Sequence, residues 1–528
     1  MANDAMHWSD FIAQDIISKK GDKETYTVAA GITPSGTIHI GKFREIITQE
    51  MVARALKRLG KKVRFIYSWD DYDTFRKVPT DMPDQEYLKS VLYQPICDIK
   101  DVYGVTDSYA RYNEITLEND APRVGLVGIE YIYQHKMFRA RKYNELIIKT
   151  MDRRERVREI LQRFKTNEIV PDWQPLETYC SNCNRDRIKF GEYDINTKTI
   201  GYECKLCGHK DSLDLRESDR LKLPWRMDWA MRWAYEKVDF ESAGNDHSSA
   251  GGSFDTGRVL VTEIYDGEPP VYAPYANIMP KGQTKKMSSS TGNGMSLNNV
   301  LKIYTPEMIR WIFASYKPNT SFNMAFDLDV LRTYEDFDMM ERWVYGAEGD
   351  NEEKRAVWRR VYEVSQLDEM APIPAVMPFQ PAFRHLCNNL QMNEMNIAKT
   401  RKMYDGEIKN DIDEHRFIER AERAVFWLEN YAPNDFTFSV NSAKIQLDMT
   451  EDEANFVKNL RATLLDEWDN FFDDTALQNR IGQLIEASGL DPKAAYRILY
   501  QLLISRDRGP KLAAFMRAVG KDRILALL

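Results

Sequence analysis

Residues 25–71 constrain this chain more than any other stretch. Thr25–Ala30 (Thr-Tyr-Thr-Val-Ala-Ala) reads as a short buried strand. It runs straight into Gly31-Ile-Thr-Pro-Ser-Gly36, where Gly31, Pro34 and Gly36 break any regular element. From Ile40 the apolar residues Ile46, Met51, Ala53 and Leu56 recur at helical spacing, and Gly60 stands where a helix commonly ends. Lys62–Trp69 (Lys-Val-Arg-Phe-Ile-Tyr-Ser-Trp) then gives a second strand, ending at Asp70-Asp71. Strand, glycine turn, helix and strand make a βαβ unit, the opening of a doubly wound parallel sheet. The expected fold class is therefore α/β with a Rossmann-type parallel sheet.

At 528 residues the chain exceeds what one core usually organises, so roughly two to four domains are expected. Residues 1–82 are assigned to the first half of the sheet domain. Residues 83–220 are read as an insertion, with a metal ribbon at 175–212. Residues 221–300 are the second half of the sheet domain, with sheet-like runs at Arg258–Ile264 and Val271–Ile278. Residues 301–345 form a helical connection, and 346–528 form an α-helical domain broken near Pro372, Pro374, Pro378 and Pro381.

The composition, 43% hydrophobic and 29% charged, is that of a soluble enzyme, and no apolar run approaches the roughly 20 residues of a membrane helix. The N-terminus shows neither a basic start nor an apolar core, so a cytoplasmic protein without a membrane partner is expected. A net charge of -8 argues against a generally polyanion-coated surface, and no DNA partner is expected. A local basic stripe runs from His135 to Lys165. It fits RNA phosphates, or equally a solvated helix face whose Arg and Glu pair at helical spacing.

Cys180-x-x-Cys183 and Cys204-x-x-Cys207, twenty residues apart, form a four-thiolate zinc pattern around a stretch that alternates like a hairpin. Four cysteines leave no open coordination position, so the zinc is expected to be structural. Cys97 and Cys387 are read as buried small hydrophobes.

Two motifs carry nucleotide chemistry. Thr33-Pro-Ser-Gly-Thr-Ile-His-Ile-Gly41 puts His39 at the mouth of a helix after a parallel strand, a natural seat for phosphate, with Gly41 letting a nucleotide approach the backbone. The bland alternative is a helix start that happens to carry a histidine. Lys286-Met-Ser-Ser-Ser290 offers a lysine and serine hydroxyls to phosphate oxygens, or is a plain Ser/Thr linker.

Together the two motifs resemble the paired signature of the class I aminoacyl-tRNA synthetases. Gly31–Glu45, Ser68-Trp-Asp-Asp-Tyr-Asp-Thr-Phe-Arg-Lys-Val-Pro79, Asp228-Trp-Ala-Met-Arg-Trp233, Gly244-Asn-Asp-His247 and Ser505-Arg-Asp-Arg-Gly-Pro-Lys-Leu512 narrow the resemblance to the class I lysyl-tRNA synthetases, the archaeal type that some bacteria share. The Arg76-Lys77-Val78-Pro79 run is the most specific piece. The resemblance implies lysine, ATP with Mg2+ and tRNA(Lys) as substrates, with the helical C-terminal domain reading the anticodon and the zinc-stapled insertion meeting the acceptor end. It implies His39 and Lys286 as catalytic residues. Pro34, Ser35, Gly41, Met287, Ser288 and Ser290 complete the ATP site, and Gly31, Thr33, Asp70, Trp229, His247 and Tyr275 the amino-acid site. A monomer is expected in preference to an oligomer.

Asp70 also suits a cationic substrate on charge alone, against a plain capping role after the strand. Trp225 and Trp233 compete with Trp229 as pocket walls. Two positions depart from the general signature: Lys42 follows Gly41, and Ser289 stands where a second lysine is usual. A synthetase for another amino acid, a small-molecule nucleotidyltransferase and a non-catalytic tRNA-binding descendant are the rival readings.

Overall fold

The computed structural model describes residues 6–80, 82–280, 295–368 and 370–528. Its centre is a parallel five-stranded sheet of β1 (Thr25–Ile32), β2 (Lys62–Trp69), β3 (Glu130–Tyr133), β4 (Phe240–Glu241) and β5 (Val271–Tyr272), ordered β5-β4-β1-β2-β3. β1 and β2 pair in register from Thr25 opposite Lys62 to Ile32 opposite Trp69. Val28 and Ala30 are buried on β1, and Phe65, Ile66 and Tyr67 on β2, as befits strands covered on both faces. The order reverses at β1, the switch point at which doubly wound sheets bind ligands beyond their strand ends.

Helix α1 (Trp8–Lys20) precedes the sheet, and α2 (Ile40–Arg58) crosses over from β1 to β2. Ile46, Met51, Ala53 and Leu56 are all buried on α2, as their spacing requires, and Gly60 follows the helix with φ 78°. Three further helices bear on the site: α3 (Tyr109–Asp120), α4 (Trp225–Glu236) and α5 (Ser253–Glu263). The run Arg258–Ile264, expected as strand, belongs largely to α5 and its C-terminal cap. Phe254, Gly257, Leu260, Val261 and Ile264 are buried at helical spacing. A Cβ at Gly257 would meet the Trp233 ring at 2.8 Å, so this glycine lets α5 close on α4.

The stretch 83–220 supplies β3 and so completes the sheet from within. It then carries an antiparallel ribbon of Ile188–Asp194, Thr199–Cys204 and Lys210–Asp214. Its base is a short pairing of Glu177–Thr178 with Leu221–Lys222.

Two compact units emerge. The first comprises 1–301, 306–324 and 346–373; the second, 302–305, 325–345 and 374–528. The chain thus returns to the sheet-bearing unit after 346, where the sequence led us to expect the α domain to open. Buried arginines hold the return: Arg360 pairs with Asp10 at 2.8 Å, and Arg310 donates to the Val364 carbonyl. The second unit is helical, with Leu460, Leu464, Leu477, Ile481, Leu499 and Phe515 in its core. Among the described residues no helix is long and apolar enough to cross a membrane.

Candidate active site

The C-terminal ends of β1 and β2 open into a cavity of about 460 Å³. Gly31, Thr33, Ser35, Asp70, Trp229 and His247, all expected from sequence, line it, and so does Lys42, the departing position after Gly41. Gly31 has a second reason to be glycine: a Cβ there would lie 2.9 Å from the Ser68 carbonyl on β2. The turn after β1 is fastened by α3, where Tyr109 donates to the Ser35 carbonyl (3.0 Å) and Asn113 to that of buried Pro34 (3.3 Å).

The cavity is acidic. Glu45, Asp70, Asp73 and Glu241 face Lys42 and Arg232 across it. Asp70 is held by its own N–H, which donates to the Ile32 carbonyl, and by Arg232 at 2.6 Å; Arg232 reaches Asp228 as well, at 3.2 Å. Burial pushes the Asp70 carboxyl upward, and Arg232 opposes it. Asp73 accepts from Thr33 Oγ1 at 2.8 Å and forms an ion pair with buried Lys222. There burial works upward too, yet Lys222 and Thr33 hold the carboxyl below its ordinary range.

Glu45 is different. It accepts from the Gly31 N–H (3.0 Å) and the Tyr275 hydroxyl (2.7 Å), and makes no ion pair among the described residues. Burial drives it up to about 8, against the pull of those two donors. Glu241, also raised by burial, accepts from Trp233 Nε1 at 2.6 Å.

The aromatic choice resolves differently from expectation. Trp225 and Trp229 both line the cavity, stacked with centroids 5.2 Å apart and each within 6 Å of His247. Trp233 is fully buried, and Tyr275, expected as a wall, does not line the cavity but donates its hydroxyl to Glu45.

His39 stands at the N-cap position of α2 without a capping side-chain bond. It is buried, with Nδ1 unpartnered among the described residues, and burial plus the nearby Lys42 lower it to about 4. Gly41 sits half-buried in the first turn. The Ile40 N–H donates to the Met295 carbonyl at 2.7 Å, and His39 bridges Ser296, so the chain resuming at 295 runs beside the helix start. Lys286, Met287, Ser288, Ser289 and Ser290 lie outside the described residues.

A second cavity of about 400 Å³ adjoins the first, sharing Thr33, Ser35, Asp73 and Trp225. Arg76, Lys77 and Pro79 of the Arg-Lys-Val-Pro run line it, together with Lys222. Elsewhere the basic stripe is mostly satisfied within the chain. Arg139 pairs with Asp98, Lys149 and Arg153 with Asp266, and Arg156 and Arg163 with Glu263, which favours the solvated-face reading.

The sulfurs of Cys180, Cys183, Cys204 and Cys207 lie within 4.8 Å of one another, with Cys180–Cys207 at 3.7 Å and Cys183–Cys204 at 3.6 Å. Tetrahedral zinc with Zn–S bonds of about 2.3 Å requires a spacing of roughly 3.8 Å, so the donor set fits that ion. Each pair closes a matching turn, with Asn184 donating its N–H to the Cys180 carbonyl and Gly208 to that of Cys204.

Sequence reasoning passed over Glu45, Asp73, Lys222, Arg232 and Glu241. Glu45 and Arg232 stand inside the motifs already singled out, and Asp73 follows Asp70 by three residues. Nothing local marks Lys222.

Residues 6–368 match the family model described as tRNA synthetases class I (K). The chain is 43% identical over 517 residues to a lysine–tRNA ligase of Borreliella burgdorferi, covering 98% of each. It is 38% identical to that of Treponema pallidum (99% of this chain, 98% of the relative) and 34% identical to that of Thermococcus kodakarensis (99% of each). With the Thr33–Gly41 turn at the switch point of a parallel sheet and relatives matching end to end, the chain belongs to the class I lysyl-tRNA synthetases and is an aminoacyl-tRNA-forming ligase.

Proposed function

We propose that the cavity beyond β1 and β2 binds lysine and joins it to ATP as lysyl-adenylate, before transfer to the 3′ end of tRNA(Lys). One observation carries the reading: Glu45 faces the cavity and makes no ion pair among the described residues, with Lys42 of the same helix acting on it only beyond ion-pair distance. Asp73 is already paired by Lys222, while Asp70 shares Arg232 with Asp228. Raised to about 8, Glu45 is protonated at neutral pH and can ionise against a substrate ammonium, which a neutral or acidic side chain does not offer.

In this reading Glu45 takes the side-chain ammonium and Asp70 the α-ammonium. Trp225 and Trp229 flank the aliphatic stem, and His247 packs against both rings. The volume of about 460 Å³ suits an amino acid with part of a nucleotide. The first turn of α2, with Pro34, Ser35 and Gly41, seats the phosphates of Mg-ATP at the positive end of the helix.

A lysine carboxylate oxygen attacks the α-phosphorus, the bond to the β-phosphate oxygen breaks, and pyrophosphate leaves. His39, neutral at physiological pH, donates a hydrogen bond rather than charge to the transferring phosphate. Lys286 supplies the charge. The terminal ribose 2′-hydroxyl of tRNA then attacks the adenylate carbonyl and AMP departs. Positioning and electrostatics suffice, so no protein nucleophile takes part. When bound to the four thiolates, zinc supplies a cross-link that holds the ribbon. The helical unit reads the anticodon, and substrates of this kind imply a cytoplasmic site of action.

ATP–pyrophosphate exchange with single amino acids tests the assignment. Lysine is expected to support exchange, with glutamate and arginine inactive. Exchange with glutamate but not lysine overturns it.

A further inference from the structure

The ribbon was expected to serve the tRNA acceptor end, yet its first cysteine turn is fastened to the amino-acid side of the site. Tyr179, immediately before Cys180, is buried and donates its hydroxyl to the Tyr72 carbonyl at 2.7 Å. Asp186, three residues after Cys183, accepts from Thr74 Oγ1 at 2.9 Å and pairs with Arg76 at 2.9 Å. The hydroxyls of Thr74 and Tyr179 also meet, at 3.1 Å. Backbone bonds close the set: the Asp186 N–H donates to the Tyr93 carbonyl and the Tyr93 N–H to that of Phe75.

Residues 72–76 are therefore gripped from both flanks of one cysteine turn. In their middle stands Asp73, which holds Thr33 on the cavity wall and is itself held by Lys222, from the strand pair at the base of the ribbon. Tyr179 and Asp186 flank the Cys180–Cys183 turn, which is closed by the Asn184 N–H on the Cys180 carbonyl and the Cys180 N–H on that of Arg185. A metal joining that turn to Cys204 and Cys207 cross-links the far side of the same clamp.

We propose that the four-cysteine site is a positioning device for amino-acid binding, acting through Tyr179 and Asp186 on the Tyr72–Arg76 loop and so on Asp73 and Thr33. The inference rests on the cavity being the amino-acid site. Tyr179, Asp186 and Thr74 are positioning residues, since none of them lines the first cavity.

The test is lysine binding to the full-length zinc enzyme without ATP or tRNA, followed by quenching of the Trp225 and Trp229 fluorescence. Lysine and ATP KM values from pyrophosphate exchange, and zinc content by atomic absorption, accompany it. Thr74→Val and Asp186→Ala are each expected to weaken lysine binding about tenfold, the worth of one charge-assisted buried hydrogen bond. The ATP KM and zinc content are expected to stay unchanged, and Thr74→Ser to restore affinity. Stripping the metal with a chelator is expected to weaken lysine binding likewise, reversed on adding zinc back. Far-UV circular dichroism confirms that each variant is folded. Unchanged lysine affinity in folded variants and stripped enzyme, with only the tRNA KM raised, overturns the inference. Absence of lysine binding by the unmodified enzyme overturns the site reading itself, and this inference with it.

Discussion

At the scale of single residues the site is defined by which charges already have partners. Asp70 was legible because an acid at the end of a parallel strand points at the ligand crevice whatever the rest of the chain does. Its pairing with Arg232 was not, because it exists only once α4 lies across the strand ends. Glu45 was hidden in plain view: on a surface helix it would be an ordinary solvated acid, and only burial makes its charge consequential. His39 illustrates the same point for a base. Burial keeps it neutral, so exchange kcat is expected to show no His39 titration between pH 6.5 and 8. His39→Ala is expected to lower kcat about 100- to 1,000-fold, the loss of one transition-state donor. His39→Asn, which keeps a donor, is expected to lose less; a rate that fell as His39 deprotonated near pH 6.5 would contradict this role.

At the scale of elements, α2 was readable from its helical periodicity, and β1 and β2 as eight-residue runs of strand-like composition bounded by turn residues. β4 spans two residues and carries no signal of its own, while β5, equally short, was legible only as the start of the Val271–Ile278 run. Helix α5 was misread because Arg-Val-Leu-Val-Thr-Glu-Ile has strand-like composition, while the buried Phe254, Gly257, Leu260, Val261 and Ile264 recur at helical spacing. The cysteine ribbon was legible from spacing alone, and Cys183→Ser is expected to abolish stoichiometric zinc by metal analysis while leaving the parallel sheet folded. Helix α1 carries a pH dependence of its own. His7 caps it, contacts the Ala314 carbonyl at 2.8 Å, and is lowered by burial to about 4. A depressed base contributes stability in full above its ordinary pKa and loses it as pH falls through the folded value. Urea unfolding is therefore expected to show up to about 3 kcal/mol of loss between pH 6.5 and 4. His7→Asn, which retains a capping oxygen, is expected to flatten that profile.

At the scale of the whole molecule, the α/β class and the helical C-terminal region were legible, and the route of the chain between its units was not. Residues 346–373 return to the sheet-bearing unit through Arg360–Asp10 and the Arg310 and Arg54 bonds to the Val364 and Leu367 carbonyls. Such long-range pairings leave no local trace. A chain ending at 373 is thus expected to melt at a higher temperature than one ending at 345, which leaves Arg310 buried with fewer acceptors. The decisive balance is nevertheless that of the cavity, where Glu45 makes no ion pair among the described residues. Isothermal titration of lysine in buffers of different ionisation enthalpy measures it directly. Binding at pH 7 is expected to release about one proton as Glu45 ionises against the incoming ammonium. Glu45→Gln is expected to abolish that release and weaken affinity about thirtyfold or more, about 2 kcal/mol. Lysine binding of equal strength in Glu45→Gln, with the same proton release, would contradict the account.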